Sequence, residues 1–574
     1  MIALLRVLLG ATALAGGGAL VSSSGAAAVQ SALHTHDGLG LGTLFAVAAG
    51  LGLVGAGFDL LRGRRRPEVK ESIANSVWAT RKHIEDAKIA ADPRAPGGGL
   101  YLGRFVTDDG GLPVELRYRG TKHILCAGVP GSNKTTGLVV PLLSEGQPGA
   151  ASSNTGAARS IICLDLKLQN APVTMRKRAL LGSVIVLNPF GVLADELPGL
   201  QSAGWNPLLQ LDPESDDFES DAYCIAEAMI DSAGAADSSS GKFFQESALN
   251  LAAALVMWER FLHGDKASLC RVRATVCAPN EFKEVDGPPS PDKSGSGAAS
   301  EKKLCGGFLY QLELMRHCKH AAIKNVSARL YSRLTDANSK ATAAQDVIDT
   351  FMASTRFLDD PRIRRDMAKG GRIDFAALHR EITTIYIGLP PHQLAAQAKW
   401  LRLFINMALA ELYKHPPRVP VLPPVLLLLD EFGNVGRLSN IVSAMNVSRD
   451  YSVQLAMFLQ NHGQLRASYP NEYQSFYSGC GVLTTFCAGD AETQEVLSKL
   501  FGNVEMIVPT ETVNGVSMTP HAIPLIRPED ISRLGPGETI SRIEPCPWPV
   551  RGVAPVYPKT RFNEGLDPNP YYRG

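Results

Sequence analysis

Short apolar runs bounded by turn residues recur along the chain after residue 120. They are rich in Val, Ile and Leu and show no alternation of apolar and polar positions, which is typical of strands covered on both faces in a parallel sheet. Seven such runs occupy residues 123–127, 160–166, 183–187, 382–387, 425–429, 453–459 and 482–486. The pattern predicts an α/β core built on a parallel sheet.

The stretch between the third and fourth runs has the periodicity of amphipathic helices instead, for example at residues 221–230 and 309–334. We therefore predict that residues 213–370 form an all-α insertion. It would divide the α/β domain into a first part, residues 63–212, and a second part, residues 371–574. Within the insertion, residues 283–302 are rich in Pro, Gly and Ser, which predicts a flexible loop.

Residues 1–62 have the pattern of a membrane anchor with one or two transmembrane helices. Residues 39–58 carry no charge, and at about 1.5 Å per residue such a helix reaches roughly 30 Å, the thickness of the bilayer's hydrocarbon. A basic flank follows, made of Arg62, Arg64, Arg65, Arg66 and Lys70. The positive-inside rule places this flank and the body after it in the cytoplasm, so we expect the chain at a bacterial inner membrane.

An earlier apolar stretch at residues 7–29 leaves two interpretations open. It is a first transmembrane span, or it is a signal peptide, because Ala26, Ala27 and Ala28 resemble a small-residue cleavage site. A buried Gly/Ala-rich helix remains the alternative to the membrane span at residues 39–58. The second span returns the chain to the cytoplasm whether the first stretch is a span or a signal peptide.

Composition adds few constraints. A chain of 574 residues exceeds the usual size of one domain. Its net charge of +1 excludes a basic field over the whole protein, so any contact with DNA must be local. The ten cysteines include no C-x-x-C spacing, which favours a reduced, cytosolic body. A metal site is a weaker alternative for one group of residues. This group contains Cys270, Cys277, Cys305, Cys318, His317 and His320.

A candidate phosphate loop follows the first apolar run and precedes a predicted helix at residues 136–143. In such a loop, backbone N–H groups face the phosphates, Lys134 neutralises charge on the β- and γ-phosphates, and the Thr135 hydroxyl binds Mg²⁺. Asn133 stands where the pattern G-x-x-x-x-G-K-[ST] has its second glycine, and asparagine tolerates left-handed backbone angles. The predicted nucleotide-binding residues are Gly128, Gly131, Ser132, Asn133, Lys134, Thr135 and Thr136.

Two acidic residues end the apolar run 425–429. Asp430 and Glu431 occupy the positions at which a Walker B strand places one carboxylate near Mg²⁺ and a second beside the attacking water. Two carboxylates there are costly to bury without a cation or other partners. Together with the loop at Lys134, they predict ATP hydrolysis with Mg²⁺ held by Thr135 and Asp430. The alternatives are an exposed acidic pair and a chance strand, turn and helix.

Two further residues flank the run 453–459. Gln460 follows it, at the edge of a parallel sheet where ligands gather, and is a candidate sensor of the γ-phosphate or an ordinary strand-ending glutamine. Arg449 precedes the run. Taken alone, an arginine at this position is more often the partner in a surface salt bridge than a catalytic residue.

The chain resembles the TraG-like type IV secretion coupling proteins, the conjugative DNA-transfer ATPases. The resemblance covers most of the chain after the predicted membrane segment. It is carried by Ser76-Val-Trp78-Ala79, Gly99-Leu-Tyr-Leu-Gly103-Arg104, Asn133-Lys134-Thr-Thr-Gly-Leu-Val-Val-Pro141, Leu164-Asp165-Leu-Lys167, Leu187-Asn188-Pro189-Phe190, Trp205-Asn206-Pro207-Leu208 and Leu429-Asp430-Glu431-Phe432-Gly-Asn-Val-Gly436-Arg437-Leu438.

This resemblance implies a RecA-like P-loop motor that carries an all-α domain and assembles as a homo-hexamer on the inner membrane. It implies Glu431 as the catalytic glutamate, Arg449 as a finger reaching the neighbour's γ-phosphate and Gln460 as the sensor. Its partners would be a type IV secretion channel and DNA, expected to be single-stranded, with an attached relaxase. Asn133 and the sequence after Asp165 depart from the family pattern, so Asp165 receives no catalytic role.

Basic residues in the insertion form a candidate DNA-contacting face, although interspersed acidic residues equally favour a solvated mixed-charge surface. These residues are Arg316, Lys319, His320, Lys324, Arg329, Arg333, Arg356, Arg362, Arg364, Arg365, Lys369 and Arg372. Two other functions remain open. One is a pump for double-stranded DNA of the cell-division type, and the other is a non-hydrolysing docking receptor for secreted effectors, which Asn133 favours.

Overall fold

A computed structural model describes residues 76–571, with gaps at 93–96, 107–112, 147–157, 231–238, 287–299, 337–341, 421 and 513–514. The predicted membrane anchor, residues 1–62, lies outside the described residues. Among the residues that are described, no helix is both long enough and apolar enough to cross a bilayer.

The strands of the described residues are numbered in chain order. They are β1 Ala90–Ala91, β2 Leu100–Phe105, β3 Val114–Tyr118, β4 His123–Ala127, β5 Ile161–Leu164, β6 Ser183–Leu187, β7 Glu281–Asp286, β8 Ser300–Gly306, β9 Thr383–Ile387, β10 Val425–Leu429, β11 Val453–Leu459, β12 Cys480–Thr485, β13 Asn503–Thr512, β14 Gly515–Pro524, β15 Glu538–Ile543 and β16 Val550–Val553.

Twelve of these strands form one sheet in the order β1-β3-β2-β16-β15-β12-β4-β11-β10-β5-β9-β6. All neighbours from β12 to β6 are parallel, and all neighbours from β12 to β1 are antiparallel. The seven apolar runs of the sequence are the seven parallel strands, which confirms the predicted α/β core. Strand β11 lies between β4, which leads into the phosphate loop, and β10, which leads into Asp430.

The helices are likewise numbered in chain order. They are α1 Arg81–Asp86, α2 Val140–Ser144, α3 Ala171–Ala179, α4 Phe218–Met229, α5 Ser239–His263, α6 Leu269–Cys277, α7 Phe308–Met315, α8 Ala321–Thr335, α9 Thr342–Ser354, α10 Pro361–Ala368, α11 Pro391–Lys414, α12 Ser439–Val447, α13 His462–Ser468, α14 Tyr473–Gly479, α15 Ala491–Phe501 and α16 Pro528–Ile531.

The predicted helix at residues 136–143 differs in detail from the structure. Residues Thr135–Val139 form a π-helical turn, and α2 continues from it. Pro141 has no N–H to donate to the preceding turn, which favours such a local widening, and π-turns are frequent at functional sites.

The prediction of an all-α insertion at residues 213–370 is wrong in one respect. Helices α4 to α10 occupy most of it, but β7 and β8 pair as an antiparallel hairpin that includes both ends of the predicted loop 283–302. Glu281–Asp286 has only two apolar residues, Phe282 and Val285, so its sequence pattern does not identify a strand. Pairing with Ser300–Gly306 satisfies its backbone groups.

The helical segment and one face of the sheet share a continuous apolar core. Trp205 lies edge-on to Trp400 and Phe404 of α11, with ring centroids 6.4 and 5.1 Å apart. Edge-to-face aromatic pairs of this kind add to the stabilisation that burial provides. The core thereby fixes α11 and the adjoining parallel strands, and with them the ends of the strands that carry the polar residues described next.

Candidate nucleotide site

The loop after β4 has the backbone of a phosphate-binding turn. The Gly128 N–H donates to the Leu459 carbonyl at 3.2 Å, which ties the start of the loop to the end of β11. Gly131 has a φ of 79°, and a side chain built there would meet no atom within 4 Å. The Ser132 hydroxyl is buried and has no hydrogen-bond partner among the described residues. An open turn with an unpartnered hydroxyl fits a phosphate group.

Lys134 lies across this loop. Its ammonium group donates to the carbonyl of Gly128 and, at 2.9 Å, to that of Val129. Burial lowers the pKa of Lys134, and the negative charge of Asp430 opposes this shift. The side chain therefore lies against the backbone of the loop, where the lysine of a phosphate loop can reach the phosphates. The Thr136 hydroxyl donates to the Asn133 carbonyl at 3.5 Å and supports the loop from within.

Asn133 has the left-handed conformation that its position in the motif requires, with a φ of 71°. Most residues other than glycine are strained there, but asparagine adopts this region more readily than most side chains. The prediction that asparagine permits the loop to form is confirmed.

The loop and the acidic strand end meet in space. The Thr135 hydroxyl lies 3.5 Å from a carboxylate oxygen of Asp430. Asp430 is buried, and burial, followed by the neighbouring charge of Glu431, raises the pKa of its carboxyl group to about 6. A hydroxyl and a carboxylate at this distance can act as two oxygen ligands for Mg²⁺, and a bound cation would offset the cost of burying the carboxylate.

A second buried carboxylate stands beside Asp430, and sequence reasoning gave it no role. Asp165 accepts hydrogen bonds from the backbone N–H groups of Gln169, Asn170 and Ala171 at 3.0, 2.8 and 2.8 Å, so it fixes the start of α3. The Asn170 amide donates to both Asp165 and Asp430 at 3.4 Å. Burial raises the pKa of Asp165 to about 7 although the backbone donors oppose the rise.

Asp165 is thus a support for the site. Its signal in the sequence was its place directly after an apolar strand, the same signal that identified Asp430.

Glu431 lies at the rim of the site in a left-handed conformation, with a φ of 59°. One carboxylate oxygen is 3.5 Å from the Lys167 ammonium group, and the other accepts a hydrogen bond from the Asn434 amide at 3.0 Å. The turn places Glu431 beside Asp430 but outside the buried region. Such a carboxylate is accessible to water, as a group that orients a nucleophile must be.

Gln460 lies at the carboxyl end of β11, level with the phosphate loop, because Leu459 pairs with Ala127 of β4. Its backbone N–H donates to the side-chain carbonyl of Gln464 at 3.1 Å. The structure therefore brings Gln460 to the same sheet edge as Lys134 and Asp430.

Arg449 lies elsewhere. It is exposed in the 3-10 turn Ser448–Tyr451, at the amino end of β11. Seven strand residues at about 3.3 Å each, roughly 20 Å, separate that end from the phosphate loop. Arg449 therefore does not reach the site of its own subunit.

Several basic residues of the helical segment have partners within the chain. Arg316 is 2.7 Å from Glu313, Arg362 is 2.8 Å from Asp360, and the Lys369 ammonium group donates to the Ser202 carbonyl at 2.8 Å. These pairs support the interpretation of a mixed-charge surface. Within the described residues, no group of Cys, His, Asp and Glu is arranged to hold a metal ion, including the cysteines considered above.

Comparison with known proteins identifies the family. Residues 67–544 match the family described as type IV secretory system conjugative DNA transfer. The chain belongs to this family of TraG-like type IV coupling proteins. TraG of Escherichia coli is 22% identical over 534 residues, which cover 85% of this chain and 75% of TraG. VirD4 of Agrobacterium fabrum (strain C58) is 28% identical over 198 residues, 33% of this chain and 29% of VirD4.

Solved structures of a coupling protein share the fold. The plasmid coupling protein TrwB in complex with a non-hydrolysable GTP analogue superposes with a TM-score of 0.52 and 13% identity, covering 79% of this chain and 90% of TrwB. TrwB in complex with ADP and Mg²⁺ gives a TM-score of 0.50 and 13% identity, covering 76% and 85% of the two chains. At this identity the likeness concerns the fold, a RecA-like α/β arrangement on a large parallel sheet.

Proposed function

We propose that this coupling protein is a membrane-anchored motor that hydrolyses ATP to pass DNA with an attached relaxase into a type IV secretion channel. It would work as a homo-hexamer on the bacterial inner membrane, with its body in the cytoplasm. The observation that carries the proposal is the contact of Thr135 with Asp430, because it unites the loop and the acidic strand end in one site.

The residues of this site fit a triphosphate and Mg²⁺. The unpartnered Ser132 hydroxyl and the open turn at Gly131 suit a phosphate, and Thr135 and Asp430 suit a hard cation. Bound Mg²⁺ would neutralise negative charge on the phosphates during transfer to water. Two other residues have the chemistry that hydrolysis requires. Lys134 would supply a second positive charge to the phosphates, and Glu431 is accessible enough to orient the attacking water.

Arg449 supports the hexameric part of the proposal. Its place at the amino end of β11 is remote from its own site, so it could act only on the site of an adjacent subunit. In a head-to-tail ring every subunit presents the same two different surfaces to its neighbours. An arginine from one surface would then complete the site at the other, as an arginine finger supplied in trans does.

The relatives agree with this proposal. The nucleotide complexes of TrwB include ADP with Mg²⁺ and a non-hydrolysable ATP analogue. The curated TraG proteins are described as conjugal transfer proteins. The basic flank and the uncharged stretch at residues 39–58 support the membrane anchor.

ATP hydrolysis by the purified full chain tests the proposal, measured with Mg²⁺ and with single-stranded or double-stranded DNA. We expect turnover that single-stranded DNA stimulates, loss of nucleotide binding in Lys134→Ala, and retained binding with turnover reduced by about 100-fold or more in Glu431→Gln. Two exposed residues of helix α15 offer matched controls, Lys499→Ala and Glu495→Gln, which should leave turnover unchanged.

Other outcomes would assign a different function. Nucleotide binding without turnover would favour the docking receptor, and stimulation by double-stranded DNA alone would favour the pump. Turnover unchanged in Lys134→Ala and Glu431→Gln would refute the assigned site.

A further inference from the structure

A continuous row of hydrogen bonds links the end of β11 to Glu431. The Gln460 backbone N–H donates to Gln464 Oε1 at 3.1 Å, and Gln464 Nε2 donates to Asn434 Oδ1 at 3.0 Å. Asn434 Nδ2 in turn donates to Glu431 Oε2 at 3.0 Å. We call the two side-chain amides, Asn434 and Gln464, the amide relay. The amide relay links Gln460, which follows β11, to Glu431, which follows β10.

The direction of every hydrogen bond in the amide relay is fixed by its two ends. A backbone N–H can only donate, and an ionised carboxylate can only accept. Gln464 must therefore turn its carbonyl oxygen toward Gln460, and Asn434 must turn its NH₂ group toward Glu431. If either amide flipped, it would place two donors or two acceptors against each other. The relay thus has a single arrangement that satisfies all of its members.

The surroundings hold the relay in place. A Cβ atom at Gly433 would lie 2.3 Å from Gln464 Oε1, so only glycine leaves room for this side chain. The backbone N–H of Gln464 also donates to Asn461 Oδ1 at 2.9 Å at the start of α13. On the other side of Glu431, Lys167 lies 3.5 Å from Oε1, so both carboxylate oxygens have a partner.

Gln460, which donates to the amide relay, lies next to the phosphate loop. Leu459, the residue before Gln460, accepts the hydrogen bond of the Gly128 N–H at 3.2 Å. A displacement of the β11 end when the loop fills would therefore move the Gln460 N–H and, through two amides, the carboxylate of Glu431. A shift of about 1 Å at a group that orients water is enough to change the rate of a reaction strongly.

We propose that Asn434 and Gln464 are positioning residues that set the orientation of Glu431 according to the state of the β11 end. This inference rests on the proposed function, because it assumes that Glu431 orients water for ATP hydrolysis. Neither amide belongs to the phosphate loop, residues 128–136. Their removal should therefore change the rate of turnover and leave the binding of ATP as it is.

Steady-state ATP hydrolysis by the full chain tests this inference. We expect Asn434→Ala and Gln464→Ala each to lower kcat by about tenfold with KM changed less than about threefold. The double variant should be no slower than the slower single variant, because either change already interrupts the same relay. Affinity for a non-hydrolysable ATP analogue should stay at the level of the parent chain.

Gln464→Glu separates this role from a general effect on folding. The new carboxylate still accepts from the Gln460 N–H but cannot donate to Asn434, so kcat should fall as in Gln464→Ala although the side chain keeps its size. Gly433→Ala should give the same result by displacing Gln464. Asn471→Ala and Gln474→Ala remove exposed amides outside the relay and should leave kcat unchanged.

Three results would overturn the inference. They are an unchanged kcat in Gln464→Glu, effects of the two alanine variants that multiply in the double variant, and a weakened affinity for the ATP analogue that accounts for the loss. A parent chain that binds ATP without turning it over would instead refute the proposed function, and the inference with it. Active parent protein with unaffected relay variants would refute the inference alone.

Discussion

The Oγ1 atom of Thr135 lies 3.5 Å from the Oδ2 atom of Asp430, although 295 positions of sequence separate the two residues. The parallel sheet brings them together, because β4 and β10 both end at the same edge with β11 between them. Ligands of open α/β sheets bind at this edge. The same arrangement accounts for Gln460 at the site and for Arg449 far from it, since the two residues flank opposite ends of β11.

Asn133 should tolerate replacement by glycine and should not tolerate a β-branched residue. Its φ of 71° is free of strain for glycine, whereas valine in this region costs of order 1–3 kcal/mol. We expect Asn133→Gly to keep ATP affinity within about threefold of the parent chain and Asn133→Val to weaken it by about tenfold or more. Equilibrium titration with a fluorescent ATP analogue measures both, with Asn471→Val as a control outside the loop. Equal affinity of the two Asn133 variants would show that the left-handed backbone has no influence on the loop.

Arg449 should complement a defective site in a neighbouring subunit. Arg449→Ala and Lys134→Ala chains should each be inactive alone, but mixed subunits would form some interfaces in which both residues are intact. With random mixing of equal amounts of the two variants, about a quarter of the interfaces in a head-to-tail ring have this composition. We therefore expect mixtures to regain hydrolysis to about that fraction. Mixtures as inactive as their components would contradict a role of Arg449 in trans.

His123 should make part of the stability depend on pH. The ring is buried at the start of β4 and its Nδ1 atom accepts a hydrogen bond from the Leu455 N–H at 3.1 Å. Burial lowers the pKa of His123 from 6.5 to about 4. Below pH 6.5 the unfolded chain therefore binds a proton that the folded chain excludes. The contribution of His123 to the free energy of unfolding is complete above pH 6.5 and is lost as the pH falls toward 4.

Replacement of His123 by asparagine isolates this effect, because the amide oxygen can still accept from Leu455 but does not titrate. Between pH 7 and pH 5 the parent chain should lose about 2 kcal/mol more unfolding free energy than His123→Asn. Urea unfolding at both pH values measures the difference, and the buried carboxyl groups titrate in both proteins. The exposed His392→Asn variant should follow the parent. A His123→Asn variant with the same pH dependence as the parent would contradict the assignment.

The parallel half of the sheet could be predicted because each of its strands carries its own signal. Strands covered on both faces need uninterrupted apolar residues, and β10 and β11 begin and end at the predicted residues 425–429 and 453–459. The antiparallel half could not be predicted in this way. Strands such as β3 include the buried ion pair of Glu115 and Arg117, so their charged residues hide them from a search for apolar runs.

The residues of the site also fall into those that the sequence identifies and those that it does not. Lys134, Thr135 and Asp430 could be found because a local motif and a strand end identify them. Asp165 has the same strand-end signal, but Asn170 and Gln464 could not be found, because their roles depend on contacts between distant segments: Asn170 donates to Asp430, and Gln464 donates to Asn434. Such hydrogen bonds leave no periodicity in the sequence. The hairpin of β7 and β8 was missed for the same reason, since only pairing defines it.

The central claim is that Thr135 and Asp430 together bind the Mg²⁺ of a metal-bound triphosphate. The dependence of ATP affinity on Mg²⁺ tests this claim most directly. Isothermal titration of the full chain with ATP, in Mg²⁺ and in excess EDTA, should show that Mg²⁺ tightens binding to the parent by about tenfold or more. In Asp430→Asn most of this gain should be lost while binding without Mg²⁺ persists. Equal affinity with and without Mg²⁺ in the parent chain, or an undiminished gain in Asp430→Asn, would contradict the account.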